Sequence, residues 1–138
     1  MAGRRDAYAG AACGPREQVI RGWAPGYFAG PVLAEVREEV VVQFSEFDPR
    51  VLASLARSFA ETDLRDVLPT IDVPTLLLYG AGDVRLPLYV AEALHSAIPG
   101  STLIILPGVG HISNVEAPDR FNAEVRGFLG AVRKGAQD

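Results

Sequence analysis

Two short runs constrain this chain more than anything else in it: "VPTLLLYG" at residues 73–80 and "STLIILPG" at residues 101–108. Each core of apolar residues is unbroken, and each run closes on glycine. A run without polar alternation has no solvent face. It predicts a strand covered on both sides, as in a parallel sheet, rather than one strand of a half-solvated antiparallel ribbon. Between the two, "LPLYVAEALHSAIPG" has helical length and is stopped by Pro99 and Gly100. After the second, "APDRFNAEVRGFLGAVRKG" places Phe121, Val125, Phe128, Leu129 and Val132 on one face of a last helix. Strand, helix, strand, helix in that order predicts parallel strands joined by a right-handed crossover.

The front of the chain is different. Residues 1–14 carry no apolar period. "PREQVIRGW" suits a short helix with Pro15 in its first turn. "APGYFAGP" is punctuated by Pro25, Gly26, Gly30 and Pro31 and predicts a turn. Val32, Leu33, Val36, Val40 and Phe44 recur at helical spacing. Asp48 is a good N-cap with Pro49 behind it, for a helix carrying Val51, Leu52, Leu55 and Phe59 on one face. The pattern changes near Asp72, so residues 1–70 form a helical region and residues 71–138 an α/β region, both within the size of one ordinary domain. No repeat or low-complexity tract interrupts them.

Composition narrows the function classes. With hydrophobic residues at 49% and charged residues at 22%, the 138-residue chain has the mix of a soluble globular protein. A net charge of -4 argues against a nucleic-acid partner, which would call for a basic face. "MAGRR" is basic, but no apolar run follows it, so no signal peptide is expected. The apolar runs are far too short for a bilayer, so no membrane partner is expected either. A lone Cys13 forms no internal disulfide and fits a cytoplasmic setting; it lacks the surroundings of a nucleophile. His95 and His111 are the only histidines and do not have metal-ligand spacing, so neither a metal nor a cofactor is expected.

In open parallel sheets, chemistry gathers beyond the carboxyl ends of the strands. This chain has two such ends, "YGAGDVRLP" and "LPGVGHIS". They place Asp83 and His111 in equivalent positions, 28 residues apart, enough for one helix and one strand. The pair makes chemical sense. A histidine acting as general base needs one ring nitrogen free, and a carboxylate on the other nitrogen fixes the tautomer and stabilises the imidazolium. Taken singly, Asp83 suits an N-cap or turn and His111 a surface loop; the matched positions favour the pair. His95, within its helix, reads as a surface residue. A dinucleotide site wants glycine at the first, third and sixth positions, but "GAGDVR" has arginine at the sixth and "GVGHIS" has serine.

Residues 71–129 as a whole resemble the C-terminal part of the α/β-hydrolase family. In that family a G-x-x-D turn after one strand carries the triad acid, matching Gly80 to Asp83 with Pro87 behind it, and a G-H loop after the next strand carries the triad histidine, matching Gly110 and His111. Glu116, Pro118 and Phe121 fit the family's continuation into its last helix. The helical front, with "PGYF", resembles the cap inserted between strands in many members. The resemblance implies a partial α/β-hydrolase fold that cleaves an ester, lactone or related bond of a small-molecule substrate. Asp83 would be the triad acid and His111 the general base. Trp23, Tyr27, Phe28, Val84 and Ile112 would contact the substrate.

The family's nucleophile sits at a G-x-S-x-G elbow upstream of the acid. Here Ser45 in "VQFSEF", Ser54 in "LASLA" and Ser58 in "ARSFA" lack flanking glycines and a preceding strand, and so does Cys13. The expectation is therefore a fragment that supplies acid and base but no nucleophile. It is expected to start near the end of the strand that follows the nucleophile's helix, and to be nearly inactive alone. The alternative is a non-catalytic remnant or interaction module of the same fold. A flavodoxin-like binding domain would need more strands. Two strands make a small sheet, so an exposed edge and self-association are also expected.

Overall fold

A computed structural model describes residues 15–135; Cys13 lies outside the described residues. The elements follow one another as α1 (Pro15–Trp23), a 3-10 turn (Ala24–Tyr27), α2 (Ala34–Glu46), α3 (Pro49–Glu61), a second 3-10 turn (Leu68–Thr70), β1 (Leu76–Gly80), α4 (Leu88–Ala97), β2 (Thr102–Leu106), α5 (Ser113–Glu116) and α6 (Pro118–Gly135). The chain is mostly helical, around a two-stranded sheet.

β1 and β2 pair in parallel, in register from Leu76 opposite Thr102 to Gly80 opposite Leu106. α4 packs on both strands and α6 on β1. Proline and glycine set the ends of α4: Pro87 stands at its N-cap, and Gly100, at φ +68, turns the chain towards β2. Ala91, Ile98, Leu106 and Val109 are buried here. The strands, however, are not enclosed on both faces. Leu76–Tyr79 are half-buried, Thr102 and Ile105 are exposed, and only Gly80 and Leu106, at the carboxyl ends, are buried. The reason is topological. In a two-stranded sheet each strand has one neighbour, so its apolar side chains keep a route to water that a central strand would close.

In the front part, α1 and α2 meet through Ile20, Ala24 and Val41, with Phe44 packed alongside. α3 begins as its sequence dictates. The Asp48 carboxylate accepts from the Arg50 N–H at 2.8 Å, and Pro49 occupies the first turn, where its missing N–H costs nothing. Asp48→Ala is expected to cost about 1 kcal/mol, read as a lower urea midpoint with unchanged slope. The apolar face of α3 is real but largely uncovered: Val51, Leu55 and Phe59 are exposed, and Leu52 is half-buried. Among the described residues no helix is long and apolar enough to cross a membrane.

One place where the front and back parts meet is a short segment, Tyr27–Gly30. A Cβ on Gly82 would lie 2.4 Å from the Ala29 Cβ, and one on Gly110 would lie 2.6 Å from the Ala29 nitrogen. Only glycine lets these backbones approach so closely. The helical region is thereby wedged against the loops that follow both strands.

Candidate active site

Gly80, the last residue of β1, faces the β2 loop. A Cβ there would lie 2.3 Å from the carbonyl oxygens of Val109 and Gly110. The missing side chain lets the two strand-end loops touch. Hydrogen bonds then lock them, from Ala81 N–H to Leu106 O and from Gly82 N–H to Val109 O, each 2.9 Å.

Asp83 and His111 come together in this contact. The Asp83 Oδ2 lies 2.8 Å from the His111 Nδ1. The other oxygen, Oδ1, accepts from the N–H groups of Arg85 (2.8 Å) and Leu86 (3.0 Å). One carboxylate is thus both turn residue and histidine partner, one oxygen for each task. Its side chain is only 6% exposed, whereas that of His111 is 31% exposed. With the carboxylate ionised, Nδ1 carries the proton and donates it, which leaves the Nε2 lone pair free. An imidazole held this way can accept a proton and, once charged, is stabilised by the carboxylate behind it.

Burial pushes the Asp83 carboxyl up, but the Leu86 N–H, the His111 imidazole and the Arg85 N–H outweigh it and hold it below its ordinary value. The folded chain therefore binds this proton more weakly than the unfolded chain does. The stabilisation is complete above the unfolded value of about 4 and is lost as pH falls through the lower folded value. Urea midpoints measured from neutral pH down to about pH 3 are expected to fall more steeply for the native chain than for Asp83→Asn, which has no carboxyl to titrate.

A small cleft adjoins the pair, lined by Leu78, Tyr79, Gly80, Leu86 and Ser113 together with Asp83 and His111. Burial, and then the nearby Asp83 charge, raise the Tyr79 hydroxyl above its ordinary value. None of the five residues named from the sequence as substrate contacts lines this cleft. The Tyr27 ring lies 5.5 Å from the His111 ring, stacks on Phe44 at 5.3 Å and carries the Arg85 guanidinium 3.8 Å from its centroid. Ile112 gives its N–H to the Tyr27 carbonyl at 3.2 Å. Trp23 contributes a carbonyl to Arg85 at 3.1 Å, Phe28 is buried, and Val84 is exposed. Leu78, Tyr79, Leu86 and Ser113 were missed because strand and loop residues beside a cleft look like any other packing residues.

The serines weighed as nucleophiles are placed elsewhere. The Ser45 hydroxyl donates to Val41 O within α2, and Ser54 and Ser58 ride on the exposed α3. His95 does have a partner, Ser101 Oγ at 2.9 Å from its Nδ1. Ser101 precedes β2 and His111 follows it, so that contact closes a turn at the opposite end of the strand.

The chain has known relatives. The pattern of the alpha/beta hydrolase family matches residues 2–124. The chain belongs to the α/β-hydrolase family. It is 35% identical over 103 residues to strigolactone esterase D14 of Arabidopsis thaliana, a match that covers 74% of this chain and 38% of that protein. Among solved structures, bromoperoxidase from Bacillus anthracis superposes with a TM-score of 0.78 at 25% identity, over 84% of this chain and 44% of that one. Esterase RhEst1 from Rhodococcus sp. ECU1013 gives a TM-score of 0.75 at 25% identity, over 93% and 47%. The chain spans less than half the length of each of these relatives and matches their C-terminal part.

Proposed function

We propose that this chain provides the acid and the general base of an α/β-hydrolase site that cleaves a carboxylic ester or related acyl bond. Asp83 orients the ring and stabilises its charge. His111 takes the proton from the nucleophile during attack and returns it to the leaving group. The Asp83–His111 contact carries the reading: it joins the ends of consecutive strands at 2.8 Å, with the second carboxylate oxygen already committed to the turn. Esterases among the relatives support the acyl substrate class. The nucleophile comes from a segment that lies outside the match to this chain, at the elbow the family places upstream of the acid. The outer edges of the β1–β2 sheet, which have no further strand paired to them among the described residues, are, on the same reading, a surface for self-association, which sedimentation at rising concentration would report.

Fusing the N-terminal half of the Rhodococcus esterase ahead of this chain tests the proposal. The isolated chain is expected to hydrolyse a short-chain p-nitrophenyl ester at the buffer rate, and the fusion is expected to turn it over. Hydrolysis by the isolated chain that survives His111→Ala would place the chemistry on other residues.

A further inference from the structure

One carboxylate joins the helical region to the histidine loop. Glu116 Oε1 accepts from the N–H groups of Ala29 (3.0 Å) and Gly30 (2.5 Å). Its Oε2 accepts from the Gly110 N–H at 2.6 Å, with a longer contact to Ala29 at 3.3 Å. Gly110 is buried and directly precedes His111. On the far side of the histidine, the Ile112 N–H is held by the Tyr27 carbonyl at 3.2 Å. The residues before and after His111 are therefore both tied to the segment Tyr27–Gly30, one through Glu116 and one directly.

We propose that Glu116 is a positioning residue for His111. It gathers N–H groups from two loops 80 positions apart in sequence (30 and 110) and fixes the backbone from which the imidazole reaches Asp83. It does not touch the ring. A carboxylate suits the task because it is acceptor-only, with two oxygens that each take charge-assisted hydrogen bonds. A glutamine has a single acceptor oxygen and can serve one loop but not both. The front segment, on this view, completes the histidine's support as well as covering the site. The consequence for catalysis rests on the general-base reading above; the positioning itself does not.

Nitrogen NMR of the isolated chain separates the two. In a neutral imidazole, observed at alkaline pH, the ring nitrogens report which of them is protonated. The native chain is expected to show His111 protonated at Nδ1, with slow amide exchange at Gly30 and Gly110. Glu116→Ala is expected to give a mixture of ring tautomers and exchange about tenfold or more faster at both glycines, while the amides of β1 and β2 stay protected. Glu116→Gln is expected to release one glycine and retain the other, with an intermediate ring signature. Glu92→Gln, on the exposed side of α4, serves as the control with no change. A His111 signature that stays native in Glu116→Ala overturns the proposal and leaves Glu116 as a structural tie alone. If that variant does not fold, the ring signature of Glu116→Gln decides on the same criterion. Failure of the general-base reading would instead appear in ester turnover, with these spectra as expected.

Discussion

Asp83→Asn, introduced into the fusion with the esterase half, is expected to lower kcat by about four orders of magnitude while the protein stays folded. The two carboxylate oxygens explain the split. Asparagine keeps an acceptor for the Arg85 and Leu86 N–H groups, so the turn survives. The amide nitrogen then takes the place of the oxygen that faces His111 Nδ1. A donor in that position needs an acceptor opposite, so the ring moves its proton to Nε2, the nitrogen that has to be free. The charge that would stabilise the imidazolium is also gone. A thermal midpoint close to that of the unmutated fusion, alongside the loss of turnover, would separate this effect from unfolding. A loss of less than about tenfold would mean that the carboxylate only shapes the turn.

The second large effect is steric. Gly80→Ala would drive a methyl to 2.3 Å from two backbone carbonyl oxygens, those of Val109 and Gly110. Gly110→Ala would place one 2.6 Å from Ala29 N and 2.8 Å from Phe28 C and Tyr27 O. Backbone atoms cannot swing aside as a side chain can, so the loops have to separate. Each substitution is expected to cost about 1–3 kcal/mol or more, with Gly80→Ala the worse, and Gly110→Ala to loosen the front segment as well. Gly127 is the internal comparison. It lies within α6, and nothing stands within 4 Å of a Cβ built there. Gly127→Ala is expected to stabilise by about 0.5–1 kcal/mol through helix propensity. Urea unfolding of the three variants checks the order, and a Gly80→Ala chain as stable as the native one would refute the close contact.

The two strands, their parallel pairing and the bounds of α4 and α6 were legible because each depends on local signals: unbroken apolar runs, and proline and glycine at the ends. The meeting of Asp83 and His111 was legible for a topological reason, since equivalent ends of adjacent parallel strands share one edge. Glu116 matched a familiar continuation, but its task was hidden. Its partners are backbone N–H groups, as far as 87 positions away, and a backbone group leaves no mark in the residue types. The five residues expected to contact substrate do not line the cleft beside the pair, and the reason is related. Aromatic residues in "PGYF" suit a pocket wall and a packing brace equally well, and here Phe28 is buried while the Tyr27 ring stacks on Phe44 beside His111. The exposed apolar face of α3 and the half-buried strands reflect what the sequence pattern cannot supply. An apolar face announces that it wants a partner, not that the described residues contain one.

The most direct test of the central claim is kcat for short-chain ester hydrolysis by the fusion, with His111 and with His111→Ala. If His111 is the base, the substitution removes turnover by about four orders of magnitude or more, because a nucleophile without its base falls back to what binding and the oxyanion site alone provide. Equal turnover by the two proteins would contradict the account, leaving the Asp83–His111 contact as a structural tie between two strand ends.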